Sequence, residues 1–194
     1  MTITNEQLKE LRDATGISVM QCKKALEEAG GDMDKARIIL QKKSGEAAAK
    51  KTDRTIGAGT VGSYVHNTGE VAALVHLACE TDFVSKNEEF IVLAREIAMH
   101  VAAQNPRYVS RDEVDEQTLE KAKEVFREEV KDKPAEMQEK ILGGKLDAYF
   151  KEQVLLEQPF IKDPDRTIND LVTGAVQKFG ERVEIANMSR LSVK

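Results

Sequence analysis

Apolar residues recur at helical spacing through the first forty residues, alternate from Gly59, and return to helical spacing from Phe90 onward. Leu8 and Leu11, then Val19, Cys22 and Leu26, then Ala36, Ile39 and Leu40 predict three short helices over residues 1–41. Thr4 with Gln7 and Ser18 with Gln21 have the spacing of capping boxes, and Asp32 stands at a third helix start. Gly16 and Gly30-Gly31 supply the stops. From Gly59, Val61 and Val65 alternate with Tyr64 and His66, Asn67-Thr68-Gly69 reads as a turn, and Val71 to Cys79 reads as the returning strand.

Beyond that hairpin the pattern is mostly helical. Phe90, Leu93, Ala94, Ile97 and Val101 share a face; so do Leu119, Ala122, Phe126 and Val130, and so do Leu146, Tyr149, Phe150 and Val154. Pro134 opens a segment that Gly143-Gly144 are expected to end, and Thr167 with Asp170 caps a last helix carrying Ile168, Leu171, Ala175 and Phe179. The closing RVEIANMSRLSVK alternates, with Val183, Ile185, Leu191 and Val193 expected on one face of a third strand. Strands at both ends of a helical block predict an α+β fold, with a small three-stranded antiparallel sheet covered by helices on one side. The other face, expected to carry Tyr64 and His66, is left open and suits a dimer contact.

The stretch ETDFVSKNEEF is polar, yet it holds Phe83 and Val84 side by side. Ser85-Lys86-Asn87-Glu88 reads as a capping box with Ser85 at the cap, so a hydrophobic staple from Val84 would meet Glu89, which is not apolar. Local capping therefore explains neither residue. Phe83 either folds back onto its own core or anchors a partner.

Composition narrows the classes. The 194 residues carry a net charge of −5, with a slightly basic start and an acidic remainder, which gives no general reason to bind nucleic acid or an anionic membrane. The N-terminus is polar and no apolar run approaches a membrane span, so a cytoplasmic chain is expected. Cys22 and Cys79 have neither disulfide nor zinc spacing. No phosphate-binding glycine loop occurs, and no cofactor is expected. An enzyme would have to use Cys79 with His66, His76 or His100; His76 points to the strand face opposite Cys79. The basic segment from Lys42 to Arg54 lacks aromatic residues for base stacking and reads as a linker with an alanine run. An adaptor binding ubiquitin-like proteins through residues 1–41 is a third alternative.

Taken together, LRDATGISVMQCKKALEEAGGDMDKA, ETDFVSKNEEF, IAMHVAAQNPRYVS and LLEQPFIKDP resemble, in that order, the bacterial elongation factor Ts family. The resemblance implies a guanine-nucleotide exchange factor for elongation factor Tu, acting by protein binding and not as an enzyme. The Thr-Asp-Phe-Val motif of that family corresponds to Thr81, Asp82, Phe83 and Val84, whose tip displaces the partner's magnesium and loosens its hold on GDP. The opening helices resemble a ubiquitin-associated-like module that makes a second contact, carried here by Arg12, Met20 and Lys23. Where the family commonly has TGAGMMDCKKAL this chain has TGISVMQCKKAL, departing at Ile17, Ser18, Val19 and Gln21. The implied organisation is a three-helix module with a basic tail over 1–52, a linker over 53–58 and a core and dimerisation domain over 59–194. It is a short form, implying a homodimer and a 2:2 complex without direct nucleic-acid or membrane contact.

Overall fold

The computed structural model describes residues 3–132 and 134–193; Met1 and Lys194, which bound two of the expected ranges, lie outside them. Helices α1 (Asn5–Thr15), α2 (Val19–Glu28) and α3 (Met33–Ala49) come first. At α1 the capping box forms: the Gln7 amide donates to the Thr4 hydroxyl at 3.2 Å, and the Thr4 amide donates to Gln7 Oε1 at 3.1 Å. Ser18 occupies the cap of α2 without a side-chain capping bond. Its expected partner, Gln21, instead accepts from Gln177 across the molecule at 3.2 Å. Leu11, Ile17, Cys22, Ala25, Leu26, Ala36 and Leu40 close a separate core beneath these helices. Ile17 enters it, whereas Val19, expected on the inward stripe, is exposed.

The alanine run expected in a linker continues α3 to Ala49. Its far end packs onto the rest of the protein: Ala48 touches the larger core, and Gln41 Nε2 donates to Asp170 Oδ1 at 2.7 Å. Ser44-Gly45 is a weak point in this stretch, but Ser44 is buried with its hydroxyl on the Leu40 carbonyl at 2.9 Å, and the helix formers from Glu46 to Ala49 carry the helix past the expected boundary.

Strands β1 (Ala58–Val65) and β2 (Val71–Cys79) form the expected hairpin, with Gly69 in the left-handed region at φ 72°. A single helical turn, α4 (Asp82–Ser85), precedes α5 (Glu88–Gln104). The helical hairpin α6 (Glu116–Val130) and α7 (Ala135–Gln153) follows, then the short strands β3 (Pro159–Phe160) and β4 (Asp163–Thr167), helix α8 (Ile168–Phe179) and strand β5 (Val183–Ser192). The main sheet has order β1-β2-β5, antiparallel throughout. The fold is therefore α+β, as the pattern predicts. Thr167 and Asp170 form the reciprocal box at α8.

Three local expectations are corrected. Gly143-Gly144 do not end a helix; α7 runs through them, both are exposed, and packing of Leu146, Tyr149 and Phe150 beside Phe126 holds the helix across the weak point. Such a pair costs roughly 1 kcal/mol per glycine relative to alanine, which tertiary contacts override. The sheet faces are also reversed in β1. Tyr64 lies on the helix-covered side, packed against the core, while Val61 and Val65 are exposed. Gly62 sets this phase, because α5 crosses so closely that a Cβ there would fall 2.2 Å from the Ala94 carbonyl carbon.

The third correction concerns β5. Val183 and Ile185 are buried as expected, but Leu191 and Val193 are exposed. Pairing passes from Leu77↔Ile185 to His76↔Asn187, leaving Ala186 as an extra residue in a β-bulge. The alternation reverses there, so Met188 packs inward and Leu191 faces out. Beneath the covered face lie Val75, Leu77, Cys79, Phe90, Ile97, Ile168 and Val176, with the Phe90 and Phe179 rings edge-on at 5.7 Å. Each large side chain so buried contributes about 1.5–3 kcal/mol.

Candidate functional site

The turn between β2 and α5 separates its two apolar neighbours. Val84 is 4% exposed and belongs to the main core; Phe83 is 83% exposed. Ser85 is not the cap of the long helix. Its hydroxyl donates to the Asp82 carbonyl at 3.2 Å, and Asn87 caps α5 by accepting from the Glu89 amide at 2.9 Å. The intervening turn of helix points Val84 inward and leaves Asp82 and Phe83 outside. Asp82 pairs with Lys86 at 2.7 Å, and that bond followed by the Lys86 charge holds its carboxyl below the ordinary range.

The base of the turn is tied to the chain entering β5. Glu181 Oε2 accepts from the amides of Glu80 at 3.1 Å and Thr81 at 3.0 Å, while its Oε1 accepts the Thr81 hydroxyl at 2.6 Å. In return, Glu80 Oε1 accepts from the Arg182 amide at 2.5 Å and from Arg54 Nη1 at 3.2 Å. The Arg182 amide, then the Arg54 bond, lowers the Glu80 carboxyl from its usual value. Arg182 also donates from Nη1 to the Arg54 carbonyl at 2.8 Å. Gly180, the left-handed cap of α8, delivers Glu181 and Arg182 to this position.

Arg12, Met20 and Lys23 all lie on the exposed surface of the N-terminal module. Met20 is 70% exposed rather than packed inside, and Lys23, one turn further along α2, pairs with Glu27 at 3.9 Å. Sequence reasoning had missed Glu181, Arg182, Arg54 and Glu80. A carboxylate directly after a glycine helix cap and before a strand is the available signal, but its partners lie about a hundred residues away.

The alternatives find little chemistry. Burial pushes the Cys79 thiol up, and its Sγ donates to the Thr81 carbonyl at 3.2 Å. His66 pairs with Tyr64 at 3.1 Å. His100 is fully buried; its Nδ1 accepts from the Ile161 amide, so Nε2 carries the proton toward Gln158 Oε1 at 2.9 Å. Burial lowers its pKa. Among the described residues no cluster of His, Cys, Asp or Glu could hold a metal, and no helix is long and apolar enough to cross a membrane. A cavity of about 470 Å³, lined in part by Ile17, Arg37, Ile38 and Arg166, lies away from the turn.

An α+β scaffold thus holds an uncovered aromatic on a pinned turn, with a second exposed apolar side chain, Met20, on the N-terminal helices. The profile of the family described as Elongation factor TS matches residues 2–194, and this chain belongs to that family of translation elongation factors. It is 45% identical to the elongation factor Ts of Thermodesulfovibrio yellowstonii over 100% of this chain and 97% of that protein. Identity is 47% with the Carboxydothermus hydrogenoformans protein, over 98% of this chain and 89% of the relative. With the Thermosipho melanesiensis protein it is 46%, over 98% of each.

Proposed function

We propose that this chain is a guanine-nucleotide exchange factor that binds elongation factor Tu carrying GDP and promotes GDP release, so that GTP can load. The exposure of Phe83 beside the buried Val84 carries the reading. A large apolar ring on the outside of a turn fixed to the core is an anchor without an internal partner. Thr81 and Val84 hold the turn, while Asp82 and Phe83 reach the partner, displace its magnesium and loosen its nucleotide site. Burying one Phe side chain contributes about 1.5–3 kcal/mol, comparable with the roughly 1–3 kcal/mol typical of coupling between two sites. Loss of magnesium removes the largest charge opposing the phosphates. Linkage makes the effect reciprocal, so nucleotide weakens the factor's binding and the factor turns over without covalent chemistry.

Arg12, Met20 and Lys23 make the second contact from a module spanning residues 1–52, joined through 53–58 to the core. Two copies associate through the open sheet face, where Val61, Val65, Leu74 and Leu191 are exposed, giving a 2:2 complex in the cytoplasm. Sedimentation of the native chain against Leu74→Asp tests the pairing; a native monomer would remove it. The exchange reading is tested by release of fluorescent GDP from purified elongation factor Tu into excess unlabelled GDP. The native chain is expected to accelerate release and Phe83→Ala to fail while folded. No acceleration by the native chain would overturn the reading.

A further inference from the structure

Thr81 precedes a helical turn, yet its hydroxyl does not cap that turn. It donates to Glu181 instead, and the same carboxylate takes the amides of Glu80 and Thr81. Two successive backbone amides and one hydroxyl converge on one half-buried side chain from the other end of the chain. The return bond from the Arg182 amide to Glu80 makes the tie reciprocal, so neither segment can slide without breaking bonds on both sides. Asp82 and Phe83 follow immediately, and Phe83 has almost no packing of its own to fix its direction.

We propose that Glu181 is a positioning residue that fixes the angle at which Asp82 and Phe83 meet the partner, with Thr81 as its tether. The inference rests on the exchange reading above. Glu181 holds the tip from behind, so its loss frees the direction of Phe83 while leaving the ring and the N-terminal contact in place. A glutamine can do the same work: its carbonyl oxygen accepts the two amides, and its NH2 donates to the Thr81 oxygen. An alanine leaves two amides and a hydroxyl without that acceptor.

The test compares the native chain with Glu181→Ala, Glu181→Gln and Thr81→Val in GDP release from elongation factor Tu over a range of factor concentrations. Because hydrogen bonds to a charged acceptor are lost, Glu181→Ala is expected to lower the maximal rate about 10-fold and move the half-saturating concentration less than about 3-fold. Glu181→Gln should stay within about 2-fold of native, with Thr81→Val between the two, since it removes one bond of three. Melting temperatures of all four report folding. The chain has no tryptophan, so Phe83→Trp supplies a single tryptophan, excited at the long-wavelength edge where the tyrosines do not absorb, whose anisotropy reads tip order without any partner. Anisotropy should fall on adding Glu181→Ala and hold on adding Glu181→Gln.

A native maximal rate in Glu181→Ala overturns the proposal, as does equal impairment in the Ala and Gln variants, which would point to a charge contact. If the native chain does not accelerate release, the exchange reading fails by itself. The anisotropy pair then decides the clamp: a fall with Ala alone supports it, and unchanged anisotropy overturns it. If Glu181→Ala fails to fold, Glu181→Gln and Thr81→Val still give both readouts, and a Thr81→Val variant with native rate and native anisotropy overturns the tether.

Discussion

Phe83 and Met20 are both exposed apolar side chains, but they are supported differently. Met20 stands at the start of α2, over a small core made by neighbours in sequence, Leu11 to Leu40. Phe83 stands on a turn held by residues about a hundred positions away, above the large core. The first surface rests on the small core of its own module, which α3 joins to α8 through Gln41 and Asp170; the second rests on the main sheet. Under the proposed exchange reading, the wedge is the side chain with the long-range support and the second contact the one with local support.

The largest effect expected from breaking this contrast comes from Leu26→Ala, which removes a fully buried side chain and should destabilise the module by about 2–5 kcal/mol. Amide hydrogen exchange should rise in α1 to α3 and stay low in β2 and α5. A uniform rise would mean that the two regions unfold together. Next, Phe83→Ala should slow maximal exchange by about 10- to 100-fold, if the ring carries about 1.4–2.8 kcal/mol of the effect. Its melting temperature should match the native chain, because the ring is exposed. Met20→Ala sharpens the contrast: it should raise the half-saturating factor concentration by about 3- to 10-fold, as a peripheral apolar contact does, and spare the maximal rate. A fall in maximal rate would make Met20 part of the wedge.

A smaller effect separates the regions by pH. Burial depresses the pKa of His100 in the folded core. Its stabilising contribution is present above the unfolded histidine value of about 6.5 and is lost as pH falls toward the folded value, because the unfolded chain then binds the extra proton. The core's resistance to urea should fall as pH drops through that window, and His100→Gln should flatten the slope. The smallest expected change is a gain: Gly144→Ala, with open space around the position, should stabilise α7 by about 0.5–1 kcal/mol. The tip and the module should both be indifferent to it.

Sequence carried the local rules well and the long-range ones poorly. Thr4 with Gln7 and Thr167 with Asp170 formed their boxes within one turn, whereas Ser85 with Glu88, equally local, did not, because an extra turn of helix makes Asn87 the cap. Asn67-Thr68-Gly69 made its turn as expected. Ser18 lost its expected partner to a residue on α8. The side of the sheet on which Tyr64 lies was illegible because the crossing of α5 over Gly62 decides it. For the site, the mismatch of Phe83 and Val84 with a polar loop was visible, and it is this pair that the structure separates into outside and inside. The carboxylate behind them was not, since no pattern in one stretch names an acceptor in another.

The extra residue at Ala186 gives strand β5 two allegiances. Its beginning continues from Glu181 and Arg182 at the tip, its middle fills the core, and its end presents Leu191 on the uncovered face. The count of residues between these points is therefore itself a specification. Pairing without the bulge, with Ala186 opposite His76, would turn Leu191 inward and Met188 outward, exchanging what the protein shows to its surroundings for what it keeps to itself, although every side chain would be unchanged.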